Sequence, residues 1–288
     1  MAPSIQWYPG HIAKAEKSLV EQLKRVDAVL EVRDARIPLA THHPRMGQWI
    51  GNKGRILVLN RVDMISSRVK EQWQSWFQGQ EEIPYFTNAQ KGQGVIAVAK
   101  AAQAVGEAMN QRRCDRGMRP RPVRLVVLGF PNVGKSALIN RLLKRKVVAS
   151  ARRPGVTRQL RWVRISDQLE LLDAPGVLPS QLTDQDAALK LAICDDIGQA
   201  AYDNQRVAAA FLDLLKTLDG NQREKTSSRV LSDRYRLNPQ ALTGESYLVQ
   251  LAEQHHQGDI ERMARRILTD FRKGDLGELA LEFPPCLG

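Results

Sequence analysis

Cysteine is scarce: Cys114, Cys194 and Cys286 are all that 288 residues carry, and none has the paired spacing of a zinc site or a disulfide framework. A reducing compartment suits such a chain. No stretch approaches the roughly 20 consecutive apolar residues that would span a bilayer. The N-terminus has no apolar signal core, and motif-like sequence begins by Trp7. That leaves little room for a transit peptide, so the expectation is cytoplasmic, with no membrane partner. Internal repeats and low-complexity tracts are also missing, which removes solenoid and disordered classes. The length then suits one α/β nucleotide-binding domain plus a smaller second unit.

Acid is missing from one region. Between Arg116 and Arg164 there is no Asp or Glu, yet Lys and Arg occur 14 times, more than the whole-chain excess of +12. The rest of the chain is therefore close to neutral. Charge concentrated in this way favours a polyanion partner through counterion release. No basic amphipathic helix with exposed aromatics accompanies it, which argues against a membrane surface.

Short β-type runs at 28–33, 55–59, 83–86, 123–128 and 169–172 each end at a loop with chemistry in it, and helix-like stretches around 12–24, 68–77 and 135–143 separate most of them. This alternation predicts a mainly parallel sheet covered by helices, with ligands outside the carboxyl ends of the strands. Beyond about residue 180 the pattern turns helical. Val207, Phe211, Leu214, Leu215 and Leu218, and later Ile260, Met263, Ala264, Ile267, Leu268 and Phe271, recur at helical spacing with no convincing strand between. The expectation is a nucleotide domain over 1–180 and a small all-α domain over 181–288.

The run Gly129-Phe-Pro-Asn-Val-Gly134-Lys135-Ser136 has the form of a phosphate loop between a strand and an amphipathic helix. Its glycines permit the backbone angles by which N–H groups from Asn132, Val133 and Gly134 through Ala137 wrap a phosphate. Lys135 would neutralise the β- and γ-phosphates, and the Ser136 hydroxyl would complete a magnesium shell. The base is chosen elsewhere, by Asn60-Arg61-Val62-Asp63. Asp63 can accept hydrogen bonds from N1–H and the exocyclic amine of guanine, whereas adenine would leave the carboxylate unpaired at a cost of about 1–3 kcal/mol or more. Asn60 would brace the loops, and Ala89, after Asn88, can offer a backbone N–H to the guanine carbonyl. Asp173-Ala-Pro-Gly176 follows a strand, as a magnesium-linked carboxylate and a γ-phosphate-sensing glycine should. Thr157 lies between, where a switch threonine could close on magnesium. GTP or GDP with Mg2+ is the expected cofactor set. The base-reading motif precedes the phosphate loop, so the usual order of parts is rotated.

Trp7-Tyr-Pro-Gly-His11, Asp34-Ala-Arg-Ile-Pro38, Asn60-x-x-Asp63, the phosphate loop, Pro154-Gly-Val-Thr157 and Asp173-x-Pro-Gly176 together resemble the circularly permuted YlqF-type GTPases. The resemblance covers residues 4 to about 180 and extends more loosely over the helical tail. It implies a GTPase with a permuted Ras-like domain that binds the large ribosomal subunit and its rRNA late in assembly. It also implies that Asn132 can help hold K+, and that His11 is the group that handles the attacking water. The departure is Arg61, where the family has Lys; a planar guanidinium is not equivalent to an ammonium.

Val177 occupies the position where Ras-like enzymes carry a water-positioning glutamine, so turnover is expected to be slow until a partner stimulates it. A neutral imidazole at His11 can hold or deprotonate water; capping a helix or touching RNA is its competing reading. A GTP-dependent scaffold with negligible turnover and a regulator of a non-ribosomal RNA are the alternatives. The pairs His42-His43 and His255-His256 read as surface polarity, Trp73 and Trp76 as packing residues, and the basic run as a nucleotide-sensitive RNA contact.

Overall fold

The computed structural model describes residues 19–143, 161–174, 179, 183–198, 201–221 and 226–285. Six strands, β1 (Ala28–Asp34), β2 (Gly54–Asn60), β3 (Pro84–Thr87), β4 (Val123–Leu128), β5 (Arg161–Ser166) and β6 (Leu169–Asp173), form one sheet in the order β3-β2-β1-β4-β6-β5. All neighbours run parallel except β5, which pairs antiparallel with β6 at the edge. The rotated order is visible here. Strands from the first 90 residues build one half of the sheet, and β1 joins the other half directly through β4.

Parallel strands covered on both faces need apolar side chains on both. On one face Val29, Val126, Leu128 and Leu172 pack against Leu19, Leu23, Met46, Trp49 and Ile50. On the same side Leu57 and Leu59 meet Val69, Trp73 and Phe77, one face of helix α2 (Ser67–Gln78), whose N-cap Ser66 accepts from the Val69 N–H. The packing role expected of Trp73 holds. The opposite face, with Leu30, Val32, Ile56, Val58, Leu125 and Val127, is covered by Val95, Val98 and Ala102 of α3 (Val95–Asp115) and by Leu138 and Ile139 of α4 (Lys135–Leu142). A shorter helix, α1 (Met46–Ile50), lies between β1 and β2.

From residue 183 onward the described residues contain helices and no strand: α5 (Gln185–Cys194), α6 (Asn204–Asn221), α7 (Thr226–Tyr235), α8 (Gly244–His256) and α9 (Ile260–Lys273). The helical spacing read in the sequence reports burial faithfully. Val207, Phe211, Leu215, Met263, Ala264, Ile267, Leu268 and Phe271 are buried and Leu214, Leu218 and Ile260 half-buried, a buried large side chain contributing about 1.5–3 kcal/mol relative to exposure.

Three expectations need correction. β5 was read only as part of the basic run, because its arginines mask a two-residue alternation on an edge strand. His43 is not a surface residue: it is 2% exposed and stacks on Trp49 with ring centroids 4.2 Å apart. The basic run is split. Its described linker half, at the end of α3 and the start of β4, lies at the amino ends of the parallel strands, away from the phosphate loop at their carboxyl ends.

Candidate nucleotide site

The carboxyl ends of the parallel strands bring the motifs to one edge. Asp34 pairs in register with Asn60, Asn60 with Thr87, and Val127, just before the phosphate loop, with Asp173. Asn60 is the hub. Its Nδ2 donates to the Val133 carbonyl at 2.8 Å, while its Oδ1 accepts from Thr87 Oγ1 and from the Ala89 N–H, both at 3.0 Å. One buried side chain thus ties together the phosphate loop, the base-reading loop and the loop after β3. Ala89 was expected to turn its N–H to a guanine carbonyl; here that N–H is held by Asn60. Asn88 shapes the same loop, its Oδ1 accepting from the Lys91 N–H.

Within the phosphate loop, two glycines are demanded by both conformation and space. Gly129 has φ 154° and Gly134 φ 101°. A Cβ at Gly129 would come 2.2 Å from the Val32 carbonyl oxygen, and one at Gly134 would come 2.1 Å from Asn60 Nδ2. Lys135 is buried, its Nζ donating to the carbonyls of Gly129 and Phe130 at 3.2 and 2.8 Å, so the ammonium is held over the loop that it follows. Ser136 and Ala137 open α4 behind it, with Gly134 as the N-terminal cap residue, an arrangement whose free N–H groups suit an anion. The cradle that a Cβ would fill, the buried lysine and the donor-rich helix start fit a nucleotide phosphate. A hydroxyl at Ser136, in the first turn of α4, and a carboxylate residue at position 173, at the end of β6, are the hard oxygen donors that Mg2+ takes.

Asp63 is exposed in the short 3-10 turn Val62–Met64, just past Asn60, where its carboxylate is open to a ligand. Arg61, in the left-handed region at φ 65°, does not lie free: its Nη2 donates to the Asn132 carbonyl at 2.6 Å and its Nε lies 3.4 Å from Asp34 Oδ2. The fork that replaces the family's lysine therefore spans two loops. Asn132, also left-handed, donates from Nδ2 to the Asp195 carbonyl at 2.6 Å, a direct bond from the phosphate loop to the turn that ends α5. His11, Thr157, Gly176 and Val177, and the side chain of Asp173, lie outside the described residues.

Sequence reasoning missed a buried charge cluster next to this site. Arg36 is fully buried, forked onto Asp34 at 3.0 and 2.7 Å, donates to the Cys194 carbonyl at 3.3 Å and lies 5.0 Å from the ring centroid of Phe271. Burial opposes ionisation of Asp34, but the charges of Arg36 and Arg61 outweigh it and hold its carboxyl below the usual range. Asp196 is the opposite case. Burial and the repulsion of Asp34 push its carboxyl well up, and neither of its oxygens has a hydrogen-bond partner. Asp34, Cys194 and Asp196 place ligand atoms within 4.8 Å of one another, but the Arg36 guanidinium already supplies the cation there. Arg141 was also missed; it reaches from α4 to the carbonyls of Ala89 and Gln90, holding the loop after β3. A signal existed only for Arg36, through the Asp-Ala-Arg-Ile-Pro motif.

On the other side of the sheet edge, Glu31 is buried among Arg33, His42 and Arg55. Burial alone would raise its pKa, but the His42 hydrogen bond and the two guanidinium charges hold it down at about 2.

A six-stranded, mainly parallel sheet with a glycine-bracketed phosphate loop, entered from the base-reading side, defines a circularly permuted P-loop GTPase. The model of the family "50S ribosome-binding GTPase" matches residues 124–231. The ribosome biogenesis GTPase A of Bacillus cereus is 34% identical over 99% of this chain and 95% of its own, and that of Thermotoga maritima is 26% identical over 97% and 95%. The GNP-bound YlqF of T. maritima shares the fold at a TM-score of 0.62 and 23% identity, over 94% of this chain and 98% of that one. The chain belongs to the ribosome biogenesis GTPase A (YlqF) family and hydrolyses GTP in ribosome assembly.

Proposed function

We propose that the chain acts late in maturation of the large ribosomal subunit, contacting rRNA with a strength set by the bound nucleotide. The name of the matched family model supports the large subunit as target. The observation that carries the coupling is the Asn132–Asp195 hydrogen bond, which joins the phosphate loop to the helical region. Arg272 of α9 extends it, donating to the carbonyls of Ala192 and Ile193 at 2.7 and 2.9 Å. In this reading residues 1–180 are the nucleotide domain and 181–288 the RNA-contacting helical domain, in a cytoplasmic protein.

Asp63 reads guanine, with Asn60, Asn88 and Ala89 holding the loops in register and Arg61 bracing base loop to phosphate loop. Backbone N–H groups from Asn132, Val133 and Gly134 to Ala137 hold the phosphates, and Lys135 neutralises charge on them. Ser136, Thr157 and Asp173 would hold Mg2+, which would supply positive charge at the phosphate oxygens; Asn132 would contribute to a K+ site. Gly176 senses the γ-phosphate and His11 orients the attacking water, so basal turnover is slow and the subunit stimulates it.

Sedimentation with ribosomal subunits in GDP, GTP-analogue and nucleotide-free states tests this. Co-sedimentation with the large subunit, stronger with the analogue, is expected. Equal binding in all three states would contradict nucleotide control.

A further inference from the structure

The linker between the two halves of the sheet carries its own charged surface. Arg112 and Arg113 close the last turn of α3, and Arg116 and Arg119 follow in an ordered turn. The Met118 N–H donates to the Arg113 carbonyl and Arg113 Nε to the Arg119 carbonyl. Arg121 is committed to Asp27 at 2.8 Å and Arg124 to Glu170 at 3.1 Å. Arg112, Arg116 and Arg119, by contrast, are exposed and have no side-chain partner among the described residues. Arg25 is exposed beside the start of β1, at the same pole. Asp115 is the one acidic residue among positions 110–124, and it accepts from Gln111.

This pole is the far end of the sheet. β4 leaves the linker at Val123 and reaches the phosphate loop six residues later, roughly 20 Å away at about 3.3 Å per residue. The helical region bonds to the opposite end through Asn132 and Arg36. Among the described residues no hydrogen bond or ion pair joins Arg112, Arg116 or Arg119 to the nucleotide edge of the sheet.

We propose that Arg112, Arg116 and Arg119 form a second phosphate-binding surface for structured RNA, one whose affinity does not respond to the nucleotide. It rests on the reading of this protein as an RNA-contacting GTPase. Free guanidinium forks suit phosphate oxygens. Arg112 and Arg116, four residues apart, lie on one side of the helix end, about 6 Å apart along its axis. A groove of about 430 Å3 opens next to this linker, with Glu107, Asn110, Gln111, Cys114, Asp167 and Gln168 in its lining; its two carboxylates leave the phosphate contact to the arginines outside it. Asn110 gives both ends of its amide to the Arg121 backbone and Gln111 donates to Asp115, so the exposed arginines carry the contact, and recognition is of backbone and shape. Met118 is the one large apolar side chain exposed among the described residues of this linker, too little for the apolar anchors of a protein interface. The protein is then held at one pole while the helical region responds to GTP at the other.

The test is the triple variant Arg112→Ser, Arg116→Ser, Arg119→Ser, titrated against an RNA duplex by fluorescence anisotropy over a series of potassium chloride concentrations, with GDP and with a GTP analogue. The slope of log affinity against log salt should fall by about 2 to 3, equally in both nucleotide states, with basal GTP hydrolysis and Tm unchanged. An unchanged slope, a loss confined to one nucleotide state, or poly-glutamate competing as well as RNA at equal charge would overturn the assignment. A wild-type protein that binds neither duplex nor subunit would sink the broader RNA reading along with it. A wild type that binds, with an unaffected variant, sinks this inference alone.

Discussion

Asp63 and Asp196 show how one side-chain type takes opposite roles by environment. Asp63 is open to solvent at the strand edge, free to be spent on a ligand. Replacing it with Asn removes the charged acceptor for guanine's N1–H and amine, so GDP should bind more weakly by about 1–3 kcal/mol, or roughly 5- to 150-fold, as read by calorimetry. Asp196 is buried with no partner, and its carboxyl is pushed well above the usual range. In the unfolded chain it ionises at ordinary acid pH while the folded chain still keeps the proton. Stability is therefore lost as pH rises through the unfolded value, until the raised folded value is passed. Asp196→Asn removes that loss, so its Tm advantage over wild type should be small near pH 4 and larger at pH 7. An advantage that shrinks with rising pH would refute the assignment. Glu31 works the other way, contributing stability above the ordinary glutamate range that disappears as pH falls toward about 2.

At the scale of elements, strand ends and loops carry the site, and here the sequence was most readable. β-type runs followed by Asn60, Gly129 and Asp173 placed the strands within a residue or two, because buried parallel strands are short apolar runs stopped by polar loops. β5 was not readable, since Arg161 and Arg164 on an edge strand look like a charge run. The Asp34–Arg36–Asp196 cluster was not readable either. Arg36 bonds a carbonyl 158 residues away, and no local pattern encodes such a contact. The Asn60 hub explains why Gly134 tolerates nothing larger. Gly134→Ala would force a Cβ against Asn60 Nδ2 in a backbone region that L-residues avoid. GDP binding should be lost while the far-UV circular dichroism stays the same, because the phosphate loop shifts and the sheet does not.

For the whole molecule, the rotated chain order places the phosphate loop in the middle of the sheet and sends the chain directly from β6 toward the helices. The last described segment then returns to the nucleotide side. The backbone N–H groups of Leu281 and Glu282 donate to the Arg36 carbonyl, and the Glu282 carboxylate accepts from Leu39 and Ala40 and pairs with Lys190 at 3.2 Å. This strap ties residues 281–282 to the loop after β1 and to α5. Glu282→Ala takes the acceptor from the buried Ala40 N–H and from the Leu39 N–H and should cost about 1–3 kcal/mol in denaturant unfolding. A change within experimental error would mean that the strap holds nothing.

Each of these roles presupposes that the halves read in reverse order close on one guanine nucleotide. A crystal structure of the GDP complex tests this most directly. It should show the Asp63 carboxylate on the guanine N1 and amine, and Lys135 with the N–H groups of its loop on the β-phosphate of the same molecule. GDP bound with its base away from Asp63, or bound anywhere but this edge of the sheet, would contradict it.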